Sequence, residues 1–258
     1  MTSLNNFFGK PTTITGVGEI YPITMRDYDE FMDIVNIIML KKSQFPFNED
    51  DLSRFFENPS QLRILDYIAI NSALEQSDEL LEGLKRIFEL TTKESVKYLK
   101  SEDSVAFFIG NVDESPGHKK VIHSKNFDQV RECIMTQNLI VEPKEYANPL
   151  VAKWAAKAAE AKAKSSAKTE IDMESILSSL QMSMGQKASF FEDFTIYQIY
   201  SAFSRLGKFN EFETDLALIG HSDQVGNVHF AEVIDLTKNP EDGAFKESSS
   251  LEGITKHL

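Results

Sequence analysis

The chain contains very little of what supports disulfides, membrane spans or secretion. It has one cysteine, Cys133, among 258 residues, so no disulfide can form within the chain. No run of about 18 uncharged apolar residues is present, which argues against a transmembrane helix. The first residues, starting at Met1, lack the basic and apolar segments of a signal peptide. These absences predict a cytoplasmic protein with no membrane association.

Positive charge is also scarce. The sequence has 27 Lys and Arg residues against 40 Asp and Glu residues, which gives a formal net charge of −13. Nucleic-acid binding depends on basic side chains that displace counterions from phosphates, so this balance predicts no nucleic-acid partner. The one lysine-rich stretch, between Lys153 and Lys168, is more typical of a solvated helix face.

Residues in reactive arrangements are few. The histidines do not form the HExxH or CxxC-type spacing that places zinc ligands together. His221, Asp223 and His229 could converge across a loop, although such residues are usually found in polar turns. Cys133 has no recognisable His or Asn partner, which favours a small packed hydrophobe, and Gly16-Val17-Gly18 lacks the third glycine of a phosphate-binding loop. We therefore predict that the protein is not an enzyme and binds no metal or cofactor.

What the sequence does contain is the composition of a folded protein, with 41% hydrophobic and 26% charged residues. Periodicity predicts a mostly α fold of the α+β class. We expect a mainly helical N-terminal domain with small β-hairpins over residues 1–146 and an Ala/Lys-rich linker helix over 147–170. A small three-helix bundle over 171–236 and a flexible tail over 237–258 would follow.

Several elements can be placed more closely. Residues 12–23 read as a small hairpin, and residues 105–109 and 120–123 read as a later β-pair. Helical spacing predicts one long helix from Tyr28 up to the break at Phe45-Pro46. In the bundle, the first helix would end near Met184 and a second would start at a Thr195–Gln198 capping box. A third helix would carry Phe212, Leu216 and Ile219 into the shared core.

Methionine and phenylalanine residues cluster near the start of the predicted bundle. Methionine is flexible and polarizable, so exposed methionines suit surfaces that accept irregular apolar partners. The predicted partner-binding residues are Met182, Met184, Phe190 and Phe191. The alternative is that these side chains fill the bundle core, since Met184 keeps the helical period whereas Met182 and the two phenylalanines fall outside it.

The order of the motifs resembles a known family. The opening from Phe8 to Ile23 leads into the Tyr28–Phe31 segment, and the Lys125–Asn138 helix, the Ala/Lys linker and the segment Phe194–Leu206 follow. Together these segments resemble the tail assembly chaperones of long-tailed phages and prophages of Gram-positive bacteria. The resemblance spans most of the chain.

This resemblance implies a factor that binds the long, helical tape-measure protein and helps to recruit tail-tube subunits around it. Such a protein acts in the host cytoplasm and is not expected in the mature virion, and self-association is compatible with its role. Two alternatives stay open at this point. One is a permanent structural protein of the tail or baseplate, and the other is a nucleotide- or metal-dependent enzyme.

Overall fold

The structure is a computed structural model that describes residues 4–47, 49–53, 56, 58–101, 104–110, 120–142, 150, 153–154, 157, 171–219 and 230–236. The chain divides into two compact units, Met1–Ile140 with Gln186–Ala202 and Val141–Gly185 with Phe203–Leu258. Helices dominate and two small antiparallel sheets accompany them, so the predicted mostly α (α+β) class is confirmed. The predicted domain boundaries stay predictions. The tail over 237–258 and nearly all of the linker lie outside the described residues.

Six α-helices lie in the described part of the first unit before its return segment. They are α1 Leu4–Phe7, α2 Tyr28–Ile34, α3 Glu49–Leu52, α4 Ile64–Glu75, α5 Glu79–Thr92 and α6 Ser124–Gln137. Helix α4 is buried continuously from Ile64 to Ser72, because its apolar residues surround the helix axis. Helix α5 is amphipathic, and its buried face includes Leu84 and Phe88. These two helices therefore supply much of the interior of the unit.

The predicted long helix after Tyr28 is shorter than expected. The α-helical part ends at Ile34, and two 3₁₀ segments, Val35–Met39 and Lys42–Gln44, replace its continuation. The segment from Ile34 to Ile38 holds four β-branched residues around one asparagine. These residue types have low helix propensity, so tertiary packing can tighten the chain into 3₁₀ turns.

Two antiparallel sheets lie in the first unit. Strands β1 (Thr12–Ile14) and β2 (Gly18–Ile20) form the predicted hairpin, and Gly16 in its turn has a positive φ of 79°. Strands β3 (Val96–Lys100), β4 (Val105–Ile109) and β5 (Lys120–Ile122) form a sheet in the order β3–β4–β5. The pairing of β4 with β5 confirms the predicted β-pair, whereas β3 was not predicted.

The core of the first unit is one continuous cluster that draws on both sheets and on α2, α4, α5 and α6. At its centre the Phe88 ring lies edge-on to Phe107, with centroids 5.0 Å apart, and to Phe127, at 6.3 Å. All three rings are buried. Aromatic pairs in this geometry contribute beyond the area that they bury, so this cluster ties α5, β4 and α6 together.

Two buried polar residues at the end of α6 bind the hairpin segment. The Asn138 side-chain oxygen accepts a hydrogen bond from the Ile23 backbone N–H at 2.8 Å. The Gln137 amide donates to the Ile20 carbonyl and to the Thr12 hydroxyl, both at 3.0 Å. Buried polar groups need such partners, so this Gln-Asn pair fixes where α6 ends against the hairpin.

The described helices of the second unit differ from the predicted three-helix bundle. Helix α7 spans Met173–Met184, as expected. The second and third predicted helices are one continuous helix, α8 (Ile196–Leu218), whose first turns, through Ala202, group with the first unit. Gly207 lies inside α8 and costs it only about 1 kcal/mol relative to alanine. The separate third helix was therefore a wrong prediction, because no strong breaker interrupts the sequence there.

Candidate partner-binding surfaces

The end of α7 carries the two predicted methionines. Asp172 caps the helix by accepting a hydrogen bond from the Ser175 N–H at 2.7 Å, and Gly185, with φ of 62°, ends it. Leu180 is buried, and Met182, two residues further along, projects from the other side of the helix. Met182 is 87% exposed and Met184 is 47% exposed. Neither methionine fills a core, so both remain candidates for binding a partner.

The two predicted phenylalanines have opposite environments. They belong to a 3₁₀ turn, Ala188–Phe191, in the first unit. Phe190 is 43% exposed, whereas Phe191 is only 2% exposed. The Phe190 ring lies 5.3 Å from Phe191 and 5.1 Å from Phe194, so the buried ring supports the exposed one. Phe191 therefore belongs to the interior, and only Phe190 stands on the surface.

Backbone bonds hold this turn against residues early in the chain. The Met25 N–H donates to the Phe194 carbonyl at 2.9 Å, and the Arg26 N–H donates to the Glu192 carbonyl at 3.0 Å. The Arg26 guanidinium also donates to Asp193 at 2.9 Å, and this hydrogen bond raises the pKa of Arg26. The return segment is therefore part of the first unit through paired backbone groups as well as packing.

An exposed apolar patch at the start of the chain was missed by the sequence analysis. Leu4, Phe7 and Phe8 on and beside α1 are all exposed. The Phe7 and Phe8 rings are perpendicular, with centroids 5.5 Å apart, and the Lys10 ammonium lies 5.6 Å from the Phe8 centroid in cation–π geometry. The signal that could have found this patch is the Phe-Phe pair within an otherwise polar lead.

The predicted capping box at the start of α8 is confirmed and also anchors this patch. The Gln198 N–H donates to the Thr195 hydroxyl at 3.2 Å, and the Thr195 N–H donates to the Gln198 side-chain oxygen at 2.8 Å. The Gln198 amide then donates to the Phe7 carbonyl at 3.0 Å. Gly9 lies close by with φ of 63°, and a Cβ there would stand 3.1 Å from the Thr195 methyl group. One side chain thus both caps a helix and positions α1.

In the second unit, the C-terminal half of α8 leaves apolar side chains exposed. Phe209, Leu216 and Ile219 are exposed, so the expected burial of Leu216 and Ile219 in a bundle core was wrong. Phe230 packs against Phe209 and Phe212, with ring centroids 5.9 and 5.0 Å apart. This segment covers only part of the apolar side of the helix.

The residues that could have a chemical role do not form a site within the described part of the chain. Cys133 is partly buried, and burial raises the pKa of its thiol. His221, Asp223 and His229 lie outside the described residues. Across the described ranges, no three His, Cys, Asp or Glu residues are grouped so that they could hold a metal ion. In the same ranges no helix has both the length and the apolar character needed to cross a bilayer.

The fold and these surfaces describe a mostly helical protein with apolar side chains displayed at several places. Residues 162–235 match the family model described as the YomV second domain, which indicates a phage-related protein. The matched segment contains α7, the 3₁₀ turn and α8, and with them all four predicted partner-binding residues. No curated protein and no solved structure matches the chain.

Proposed function

We propose that this protein is a phage tail assembly chaperone, which binds the tape-measure protein and helps to recruit tail-tube subunits during tail morphogenesis. The observation that carries the proposal is the exposure of Met182, at 87%, within the segment that matches a phage-related domain. Met184, 47% exposed, lies two residues away on the same helix, so the end of the helix displays two methionines. Such flexible apolar side chains are suited to contacts with another apolar surface.

The charge of the chain supports the same function. A net charge of −13 keeps molecules apart when many of them coat one polymer, and it disfavours nucleic acid as a partner. Several weak apolar contacts along a filament bind through avidity and still release when tube subunits displace them. We place the protein in the host cytoplasm, where it acts without catalysis or cofactor, and not in the mature virion. Self-association is compatible with this role.

The direct test is binding to purified tape-measure protein. The wild-type protein should co-elute with tape-measure fragments in gel filtration, and the double variant Met182→Ser, Met184→Ser should bind about tenfold more weakly, because two exposed apolar contacts are lost. Leu74→Ser is the matched control, since Leu74 is also exposed but lies on α4, outside the matched segment. Equal binding by all three proteins would show that the two methionines do not contact the tape-measure protein.

The alternative functions predict different experimental results. Mass spectrometry of mature virions separates a chaperone from a permanent tail or baseplate protein, because only the latter leaves a stoichiometric signal in the particle. Elemental analysis and nucleotide extraction of the purified protein address the enzyme alternative. A stoichiometric bound metal or nucleotide would contradict the chaperone proposal.

A further inference from the structure

The second face of the three-stranded sheet in the first unit is mainly apolar, and within the described part of the chain it is partly exposed. In the strand register Lys97 pairs with Phe108, Phe108 pairs with Val121, and Leu99 pairs with Ala106. Residues opposite each other in an antiparallel sheet share a face, and so do residues two positions apart. These five side chains therefore form one surface, which we call the open sheet face.

Burial separates the two faces of this sheet. On the inner face, Phe107 is fully buried and Ile109 is nearly so, and both belong to the core cluster. On the open sheet face, Leu99 is 70% exposed, and Phe108 and Val121 are only half-buried. The side chains of the open sheet face do not join the core cluster of the described residues. Sheets normally bury an apolar face against another layer, so this face lacks a covering element within the described part of the unit.

A groove extends from one end of the open sheet face. It has a volume of about 530 Å³ and runs between the β3–β4 turn and the start of α6. Leu99 and Ala106 supply apolar lining, and His123 and Lys125 lie at the α6 side. The groove is large enough to accept an apolar side chain that reaches beyond the flat part of the face.

Exposed lysines belong to this surface. Lys97 and Lys125 are exposed, and neither forms an ion pair with any residue that the structure describes. By contrast, Lys100 pairs with Asp78, and Lys120 pairs with Glu94 at 2.5 Å. Among the described residues, Lys97 on the open sheet face and Lys125 at the groove are therefore two cations without an ion-pair partner, on a protein of net charge −13.

We propose that the open sheet face is a docking surface for an acidic amphipathic helix of a partner protein. A helix is the element that commonly covers a sheet face, and carboxylates beside its apolar stripe would meet Lys97 and Lys125. A second copy seated face to face would bring like charges together, which disfavours self-pairing here. The inference is independent of the proposed function, since the face lies outside residues 162–235.

The test uses the full chain and a pair of designed helical peptides. Both peptides carry fluorescein, have about 18 residues and place leucines on one side of the helix. The first peptide has glutamates at all other positions, and the second has lysines there instead. Fluorescence anisotropy should show that the glutamate peptide binds wild type about tenfold more tightly than the lysine peptide does, and that added salt weakens its binding. Leu99→Ser and Lys97→Glu should each weaken binding of the glutamate peptide about tenfold.

Two variants serve as matched controls for the peptide-binding experiment. Leu74→Ser and Lys187→Glu change exposed residues away from the face and should bind like wild type. Circular dichroism checks that every variant is folded. Equal or tighter binding of the lysine peptide, or equal binding by all variants, would overturn the proposal. So would a wild-type dimer in analytical ultracentrifugation that Leu99→Ser dissociates, because a second copy would then occupy the face.

Discussion

The two units use apolar side chains in different ways. The first unit buries one continuous cluster in which Phe88, Phe107 and Phe127 touch. The described part of the second unit leaves Met182 and Phe209 exposed on helices that are otherwise ordinary in sequence. Apolar residues therefore build a buried scaffold in the first unit, whereas some of those described in the second unit are available for contacts. Single substitutions can test how far this contrast holds.

The largest effect should come from the core of the first unit. Phe88→Ala removes a buried ring that contacts two others, and we expect a loss of about 3 to 5 kcal/mol in the free energy of unfolding. Phe209→Ala, in the second unit, should cost about 1 kcal/mol or less because that ring is exposed. Urea denaturation measures both. Similar losses of unfolding free energy for the two variants would contradict the difference between the units.

A smaller effect is expected from the buried polar residues of the first unit. Asn138→Ala leaves the Ile23 N–H without its 2.8 Å acceptor, which should cost about 1 to 3 kcal/mol of unfolding free energy. The matched control is Asn210→Ala on α8, where the residue is exposed and alanine favours the helix. Urea denaturation should therefore show no loss of stability for Asn210→Ala. Equal stability of Asn138→Ala and wild type would contradict a stabilising role for this hydrogen bond.

The smallest effect concerns a surface charge of the first unit. Hydrogen bonds from the Lys100 ammonium and the Ser72 hydroxyl lower the pKa of Asp78 below its ordinary value of 3.8. A carboxyl group with a lowered pKa in the folded state stabilises the protein above about pH 4, and this contribution disappears as the pH falls through the folded pKa. Asp78→Asn should therefore melt slightly below wild type at pH 7.

The same comparison at low pH provides the control. As the pH falls through the folded pKa of Asp78, the carboxyl becomes neutral like the asparagine amide, so the two melting temperatures should converge. Glu213 is an exposed residue on α8 of the second unit. The variant Glu213→Gln serves as a reference that leaves the Lys100 and Ser72 hydrogen bonds to Asp78 in place. A melting-temperature difference between Asp78→Asn and wild type that does not shrink as the pH is lowered below the ordinary pKa of 3.8 would contradict the assignment to charge.

Local sequence patterns predicted much of the fold. The hairpin at Gly16, the β4–β5 pair and the Thr195–Gln198 capping box were all found, because turn residues and caps act within a few positions. Strand β3 was missed, since its sequence Val-Lys-Tyr-Leu-Lys does not alternate strictly between apolar and polar residues and only Val96 is buried. The continuity of α8 was also missed, because Gly207 weakens a helix without ending it.

The candidate surfaces were predicted less completely. For Met182, binding of a partner and burial in a bundle core both stayed open from the sequence, and the structure places its side chain in solvent. Phe191 was grouped with it on the same argument, but the turn that holds it directs its ring inward. The patch at Phe7 was missed because its anchor, Gln198, lies far away in the sequence.

The helical class, the turns and caps, and the acidic charge follow from residue types and near neighbours, so they can be predicted from the sequence. Which apolar residues are covered depends on the tertiary structure. Leu99 and Phe107 are both apolar strand residues, yet one lies on the open sheet face and the other in the core. Burial depends on what packs across a face, and those packing partners come from distant parts of the chain.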